Sequence, residues 1–364
     1  MRADEIADSV VEQIIESGET YSISMLFNDL RTNDRIASIE FPDYVKDYFV
    51  SNSALPEWAN KEKIAIGQQV YANYGPEIAL CLMCKSLPEA YSCAKGAKVL
   101  YSTGRLTEQN GSLEVFTRRL METAQFVVDV CSPDGLEPNG RGIETALKVR
   151  LIHASIRYYL KKYGWDYGNG MPINQQDMAG TLQSFSALTL QGLIQLDIHL
   201  SEEEVDGYFH CWHVVGHLMG LEPEMNPADF KTAEVFGQAI LDDQFAPSQE
   251  GVELTKALKA FMLQHMPGNI FKHTPDAIIR FLTGDKIANS LGLDSAEELK
   301  KNIVPRLLEH AFHDLSEVEE QHHFIKKIAA HFTLHFMQAM LNHFNDHKQL
   351  HFYIPPTLRT NWNI

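Results

Sequence analysis

The sequence predicts an all-α fold, a single large helical domain around a buried core. Three observations carry this expectation. Apolar residues recur at helical spacing along most of the chain, strand-like alternation is scarce, and capping sequences punctuate the helical runs. At 364 residues, with 45% hydrophobic and 22% charged residues, the chain has ordinary globular composition and enough apolar surface for such a core.

Taken in order, residues 1–54 read as an N-terminal helical extension, 55–294 as the main helical domain and 295–364 as C-terminal helices packed on it. No Pro/Gly/Ser linker separates these parts. From Ser112 to Cys131, Leu113, Phe116, Leu120, Ala124, Val127 and Val128 fall on one helical face. Pro133, Gly135, Pro138 and Gly140 then break the chain. A second helix is expected from about Ile143 to Tyr163, stopping at Gly164, and a third from about Asn174 to Ile198. Ser201-Glu202-Glu203-Glu204 is a capping box opening a helix that ends at Gly220. Asn226-Pro227 predicts the next start. Ser295 with Glu298, and Ser316 with Glu319, mark two more, the last helix running from Glu317 to about Asn345.

The formal net charge is −17, with no Lys/Arg run, which argues against nucleic acid as a partner. The N-terminus lacks the basic and apolar regions of a secretory signal, and no stretch approaches 18 uninterrupted apolar residues. Five scattered cysteines fit a reducing compartment, so a cytoplasmic protein without transmembrane segments is expected. Cys81-Leu82-Met83-Cys84 has metal-like spacing but no second pair and apolar flanks, which favours buried core cysteines.

Chemistry concentrates in the second of these helices. Arg150, His153 and Arg157 are spaced i, i+3, i+7 beside an apolar stripe of Val149, Ile152 and Ile156. Nearby positive charge keeps an imidazole neutral, the form that binds metal, and His is a common axial ligand of haem. The arginines match haem propionates in geometry. The competing reading is a surface His between solvated arginines. On the preceding helix Arg119, Glu122 and Thr123 share a face, either lining a pocket or forming an ordinary exposed pair. Thr181, Ser184, Phe185 and Leu188 either border the pocket or pack in the core, Thr181 being the first candidate for the pocket. A rival site is His210, His213 and His217, with the last two at i, i+4. His331/His335 and His343/His347/His351 repeat that spacing. None of these reproduces the Glu-rich di-iron pattern.

The chain resembles the rubber oxygenases (latex clearing proteins) and the related fungal oxygenases of mycophenolic acid biosynthesis. The resemblance runs through Leu55-Pro56-Glu57-Trp58, Ser86-Leu87-Pro88, Thr103-Gly104-Arg105-Leu106, Glu122-Thr123-Ala124-Gln125-Phe126-Val127, Val149-Arg150-Leu151-Ile152-His153, Trp212-His213-Val214-Val215-Gly216 and Gly220-Leu221. It implies a haem b held in a helical core of somewhat globin-like character. His153 is then the proximal iron ligand, with Arg150 nearby and Arg119, Glu122 and Thr123 on the distal side. Two departures stand out. The family's distal Lys is Glu122 here, and its upstream catalytic glutamate has no clear counterpart, Glu108 and Glu114 being only nearby. Both point away from polyisoprene as substrate. The resulting expectation is a haem b-dependent oxygenase. It would use O2 on a hydrophobic, unsaturated, small-molecule or lipid-like substrate. His153 would hold the iron, Arg150, Arg157 and Thr181 would contact the cofactor, and Glu122, Arg119 and Thr123 would act in catalysis. The alternatives are a haem gas sensor or carrier without turnover, and a non-haem metal enzyme built on His213 and His217.

Overall fold

The computed structural model describes residues 2–17, 21–32, 34–103, 112–265 and 273–299. The described residues form helices α1 (Glu5–Ser17), α2 (Ile23–Leu30), α3 (Asp43–Asn52), α4 (Lys61–Cys81), α5 (Leu87–Ser92), α6 (Ala94–Ser102), α7 (Glu114–Cys131), α8 (Arg141–Lys162), α9 (Gln175–Phe185), α10 (Ala187–Gln195), α11 (Glu202–Leu218), α12 (Phe230–Gln244), α13 (Gln249–Gln264) and α14 (Thr274–Ser290). An isolated bridge joins Cys93 and Phe245. No described helix is long and apolar enough to cross a membrane.

The core is organised by two close helix pairs. α4 and α11 approach because Gly67 faces the backbone carbonyl of Gly207 and the Cys211 sulfur, where any larger side chain would collide. α7 and α8 pack side by side, and α8 is also covered by α1. α1 buries Ala7, Val10, Val11 and Ile14, an i, i+3, i+4, i+7 stripe, against it. α3 adds Tyr48, whose hydroxyl donates to the Leu147 carbonyl at 3.3 Å. Cys81 and Cys84 are buried free thiols, as are Cys131 and Cys211; Cys93 is half-buried and also free.

Several caps fall where the sequence placed them. Ser201 and Glu204 form the reciprocal box of α11, and Gly220 follows that helix at φ 82°. Ser295 and Glu298 form the same reciprocal pair. Two expectations fail. The helix expected over Asn174–Ile198 is two helices, broken at Ser186 (φ −104°, ψ −87°). The break is stabilised by hydroxyls: Ser86 and Thr189 both donate to the Ser184 carbonyl, at 2.6 and 3.1 Å. α12 starts at Phe230, capped by Asp229, and not at Asn226-Pro227. Asn226 is instead buried and donates to the His213 carbonyl at 2.9 Å. Ser316, the helix from Glu317 and the histidines of 331–351 lie outside the described residues.

Between α4 and α5, Leu82–Ser86 forms a single π-helical turn. Such bulges frequently mark functional positions, and this one carries Lys85 to the wall of the main cavity.

Candidate active site

A cavity of about 720 Å3 opens against α7 and α8, with walls from α9, α10, α11, α12 and α14. Its size is that of a small-molecule or cofactor site. Much of the wall is apolar, including Val149, Ile152 and Ile156 of α8. An aromatic group joins them, in which Phe185 stacks on Trp212 at 4.9 Å and Phe126 leans on both.

His153 reaches this cavity from α8. Its Nδ1 is buried and has no hydrogen-bond partner, whereas Nε2 is not enclosed in this way and is the nitrogen that can meet a group in the cavity. Burial, then the charges of Arg157 and Arg119, pull the imidazole down to about pKa 3, against an opposing push from Asp4. The ring is therefore neutral at ordinary pH and carries a lone pair, as metal ligation requires.

Arg150 and Arg157 do not line the cavity, which corrects the expectation that they meet a cofactor. Arg150 makes a two-bond ion pair with Asp4, Nε to Oδ2 at 2.6 Å and Nη2 to Oδ1 at 2.8 Å. Arg157 donates from Nε to Asp8 at 2.7 Å and from Nη1 to the Ile173 carbonyl at 3.2 Å. Helix geometry explains the divergence. At about 100° per residue, Arg150 and Arg157 project within about 20° of each other, whereas His153 is turned about 40–60° toward the apolar stripe. The two arginines face α1, and the histidine faces the cavity.

Arg119, Glu122 and Thr123 all line the cavity from α7. Arg119 Nη1 donates to Thr123 Oγ1 at 2.8 Å, and that hydroxyl donates to the Arg119 carbonyl at 3.2 Å. Glu122 Oε1 accepts from Nε and Nη2 of Arg31, at 3.1 and 2.8 Å. Thr181, Ser184, Phe185 and Leu188 also reach the wall, but from two helices and not one; the Thr181 hydroxyl donates to the Asp177 carbonyl at 2.7 Å. Glu114 is exposed and paired with Arg118, away from the cavity, and Glu108 lies outside the described residues.

Three groups in the wall were not anticipated. Arg31 arrives from the end of α2. Lys85 and Glu89 form a buried pair at 2.7 Å, with Lys85 also donating to the Leu282 carbonyl. Burial raises the Glu89 carboxyl against the opposing pull of Lys85. Lys148 donates to the Thr32 and Asp34 carbonyls, and burial lowers its ammonium. The only local signal for any of these was the i, i+4 spacing of Lys85 and Glu89.

The rival histidine cluster has a different role in the fold. Trp58 stacks on His213 at 4.0 Å and 13°, with His210 and His217 edge-on to the same indole. His210 Nε2 accepts from the Asn60 amide at 2.9 Å. No cluster of three or more His, Cys, Asp or Glu with metal-binding geometry occurs among the described residues.

Residues 82–308 match the family described as ER-bound oxygenase mpaB/B'/Rubber oxygenase, catalytic domain. A rubber oxygenase from Streptomyces sp. (strain K30) is 25% identical over 312 residues, 82% of this chain and 73% of that protein. The solved structure of latex clearing protein LCP in the closed state shares the fold, with TM-score 0.73 and 21% identity over 92% of this chain and 90% of that one.

Proposed function

Because this chain belongs to the ER-bound oxygenase mpaB/B'/rubber oxygenase catalytic-domain family, we propose that it is a haem b-dependent oxygenase using O2 on a hydrophobic, unsaturated, small-molecule or lipid-like substrate. One observation carries the haem assignment. A neutral imidazole with a reachable Nε2 stands on the wall of a large, aromatic-lined cavity. The residues present fit a haem: one axial nitrogen, apolar side chains to face a macrocycle, and cationic groups on the wall for its carboxylates.

When bound, haem supplies one-electron and O2 chemistry at its iron, and axial ligand and distal polarity tune it. His153 would hold the iron, and Thr181 would border the macrocycle. With Arg150 and Arg157 committed to Asp4 and Asp8, Arg119 and Lys148 are the nearer candidates for propionate contact, both lining the cavity. The Arg119–Thr123 bond orients the threonine hydroxyl, and Arg31 fixes Glu122, so the distal polar groups are preorganised. Glu122, on the cavity wall, would accept or return a proton at its carboxylate. The apolar wall excludes water from that exchange and receives an apolar substrate.

The non-haem alternative on His213 and His217 loses its basis, because Trp58 covers His213. The test is an absorption spectrum of the purified or haem-reconstituted protein. A Soret band in wild type and in His213→Ala, absent in His153→Ala, is the expected result. Wild type without a Soret band, or His153→Ala with an unchanged one, would overturn the assignment. Incorporation of 18O from labelled O2 into product then separates an oxygenase from a sensor or carrier.

A further inference from the structure

We propose that Asp4 and Asp8 are positioning residues for the site: through their ion pairs with Arg150 and Arg157 they neutralise two buried charges beside His153 and so set the reduction potential of the iron it holds. The inference rests on the haem reading above.

Both arginines are deeply enclosed, Arg150 at 5% and Arg157 at 0% exposure. A guanidinium stays charged in a protein, so each brings a fixed positive charge into a low-dielectric region. They sit one turn to either side of His153 on α8. Alone, they would favour the less positive, ferrous iron. Each is instead answered by a carboxylate from the start of the chain, 146 and 149 residues away. Asp4 and Asp8 are themselves four residues apart, matched to the near-coincident projections of the two arginines, and the Asp8 amide donates to the Asp4 carbonyl at 2.9 Å.

A second observation gives this arrangement its function. A ligating histidine is usually tuned by an acceptor on its other ring nitrogen. Here Nδ1 is buried with no partner, so that route is missing. The charges flanking the ring are what remains to adjust it, and Asp4 and Asp8 close on those two guanidinium groups at 2.6 and 2.7 Å. α1 is thereby part of the active-site electrostatics, although it does not line the cavity.

The experiment is a redox titration of the haem-loaded full chain, followed at the Soret band, in wild type, Asp8→Asn, Arg157→Gln and the double variant. Asp8 is chosen because its side chain is 19% exposed and tolerates change better than Asp4 at 3%. Asp8→Asn should raise the midpoint, with about a tenfold gain in ferrous over ferric iron at fixed potential, about 59 mV for a one-electron couple. Arg157→Gln should lower it, and the double variant should return near wild type. A purely structural role would not produce opposite shifts that cancel. Potentials that are unchanged, or that all move one way, overturn the inference. If wild type retains haem but Asp8→Asn and Asp4→Asn both lose helical circular dichroism, the pairs only hold the fold and the inference also falls. If wild type shows no Soret band, it is the haem reading that has failed.

Discussion

Arg31 and Glu122, 91 residues apart, meet at the cavity wall, where two guanidinium nitrogens converge on one carboxylate oxygen. The pair ties the end of α2 to α7, and its side chains are 27% and 23% exposed. Such a contact fixes geometry more than it adds stability, since a partly exposed pair contributes roughly 0–1 kcal/mol. A carboxylate so held has its position set by Arg31. In the haem-loaded ferric protein, cyanide and imidazole should therefore bind without a slow phase, and Glu122→Gln should leave the association rate unchanged. Stopped-flow absorbance measures this. A slow phase in wild type that vanishes in Glu122→Gln would mean that the carboxylate occupies the iron's open side.

Arg150→Ala should act on the whole fold and not on cofactor affinity alone. Asp4 is 4% exposed and would keep a buried charge without its partner. Breaking a buried pair in this way costs roughly 3–5 kcal/mol, whereas replacing both members with apolar residues is often neutral. Urea denaturation of the haem-free protein should show a large loss in Arg150→Ala and a substantial recovery in Asp4→Leu/Arg150→Met. A single variant as stable as wild type would refute the assignment of Arg150 to Asp4.

Local signals made much of this legible. Helices α7, α8 and α11 and the Ser201–Glu204 box were readable because capping and apolar periodicity act over a few residues. His153, Arg119, Glu122 and Thr123 were joined by the family resemblance and not by local spacing, and α7 and α8 present all four to a shared cavity. The fate of Arg150 and Arg157 was not readable. Their helical spacing suggested a common face with His153, but their partners lie at the start of the chain, and no local pattern encodes a contact 146 residues long. Arg31 was missed for the same reason. The break at Ser186 was missed because its stabilising donor, Ser86, lies on a different helix from the residues it interrupts.

Gly67→Ala should be among the most damaging small substitutions. A methyl group there would overlap the Gly207 carbonyl and come within 2.7 Å of the Cys211 sulfur. The first of these is backbone on the facing helix, so relief requires α4 and α11 to separate. Overpacking of a core typically costs about 1–3 kcal/mol. The same change at Gly96, where the nearest atom is the Cys93 Cβ at 4.0 Å, meets open space and replaces a helix-interior glycine with a better helix former. Thermal melts should show Gly67→Ala well below wild type and Gly96→Ala at or above it. Equal melting temperatures for the two would contradict the close approach of α4 and α11.

His153 also makes a prediction about acid. In the folded, haem-free protein its imidazole is held down at about pKa 3, chiefly by burial. In the unfolded chain it returns to about 6.5. Between those values the unfolded state binds a proton that the native state refuses. The native state therefore loses stability as pH falls through 6.5, and continues to lose it toward 3. His213, held at about 4 mainly by burial, adds to the same trend, while Glu89 and Asp129, raised by burial, oppose it at lower pH. Comparison with a variant isolates the contribution of His153. His153→Phe fills a similar space without a titrating group, so it should gain on wild type as the pH drops. Full linkage at one site gives up to about 2 kcal/mol of relative gain between pH 7 and pH 5. Denaturant midpoints of the haem-free proteins at the two pH values provide the measurement. Parallel pH profiles for wild type and His153→Phe would mean that the imidazole titrates alike in the native and unfolded states, and that burial does not hold the ring neutral in acid.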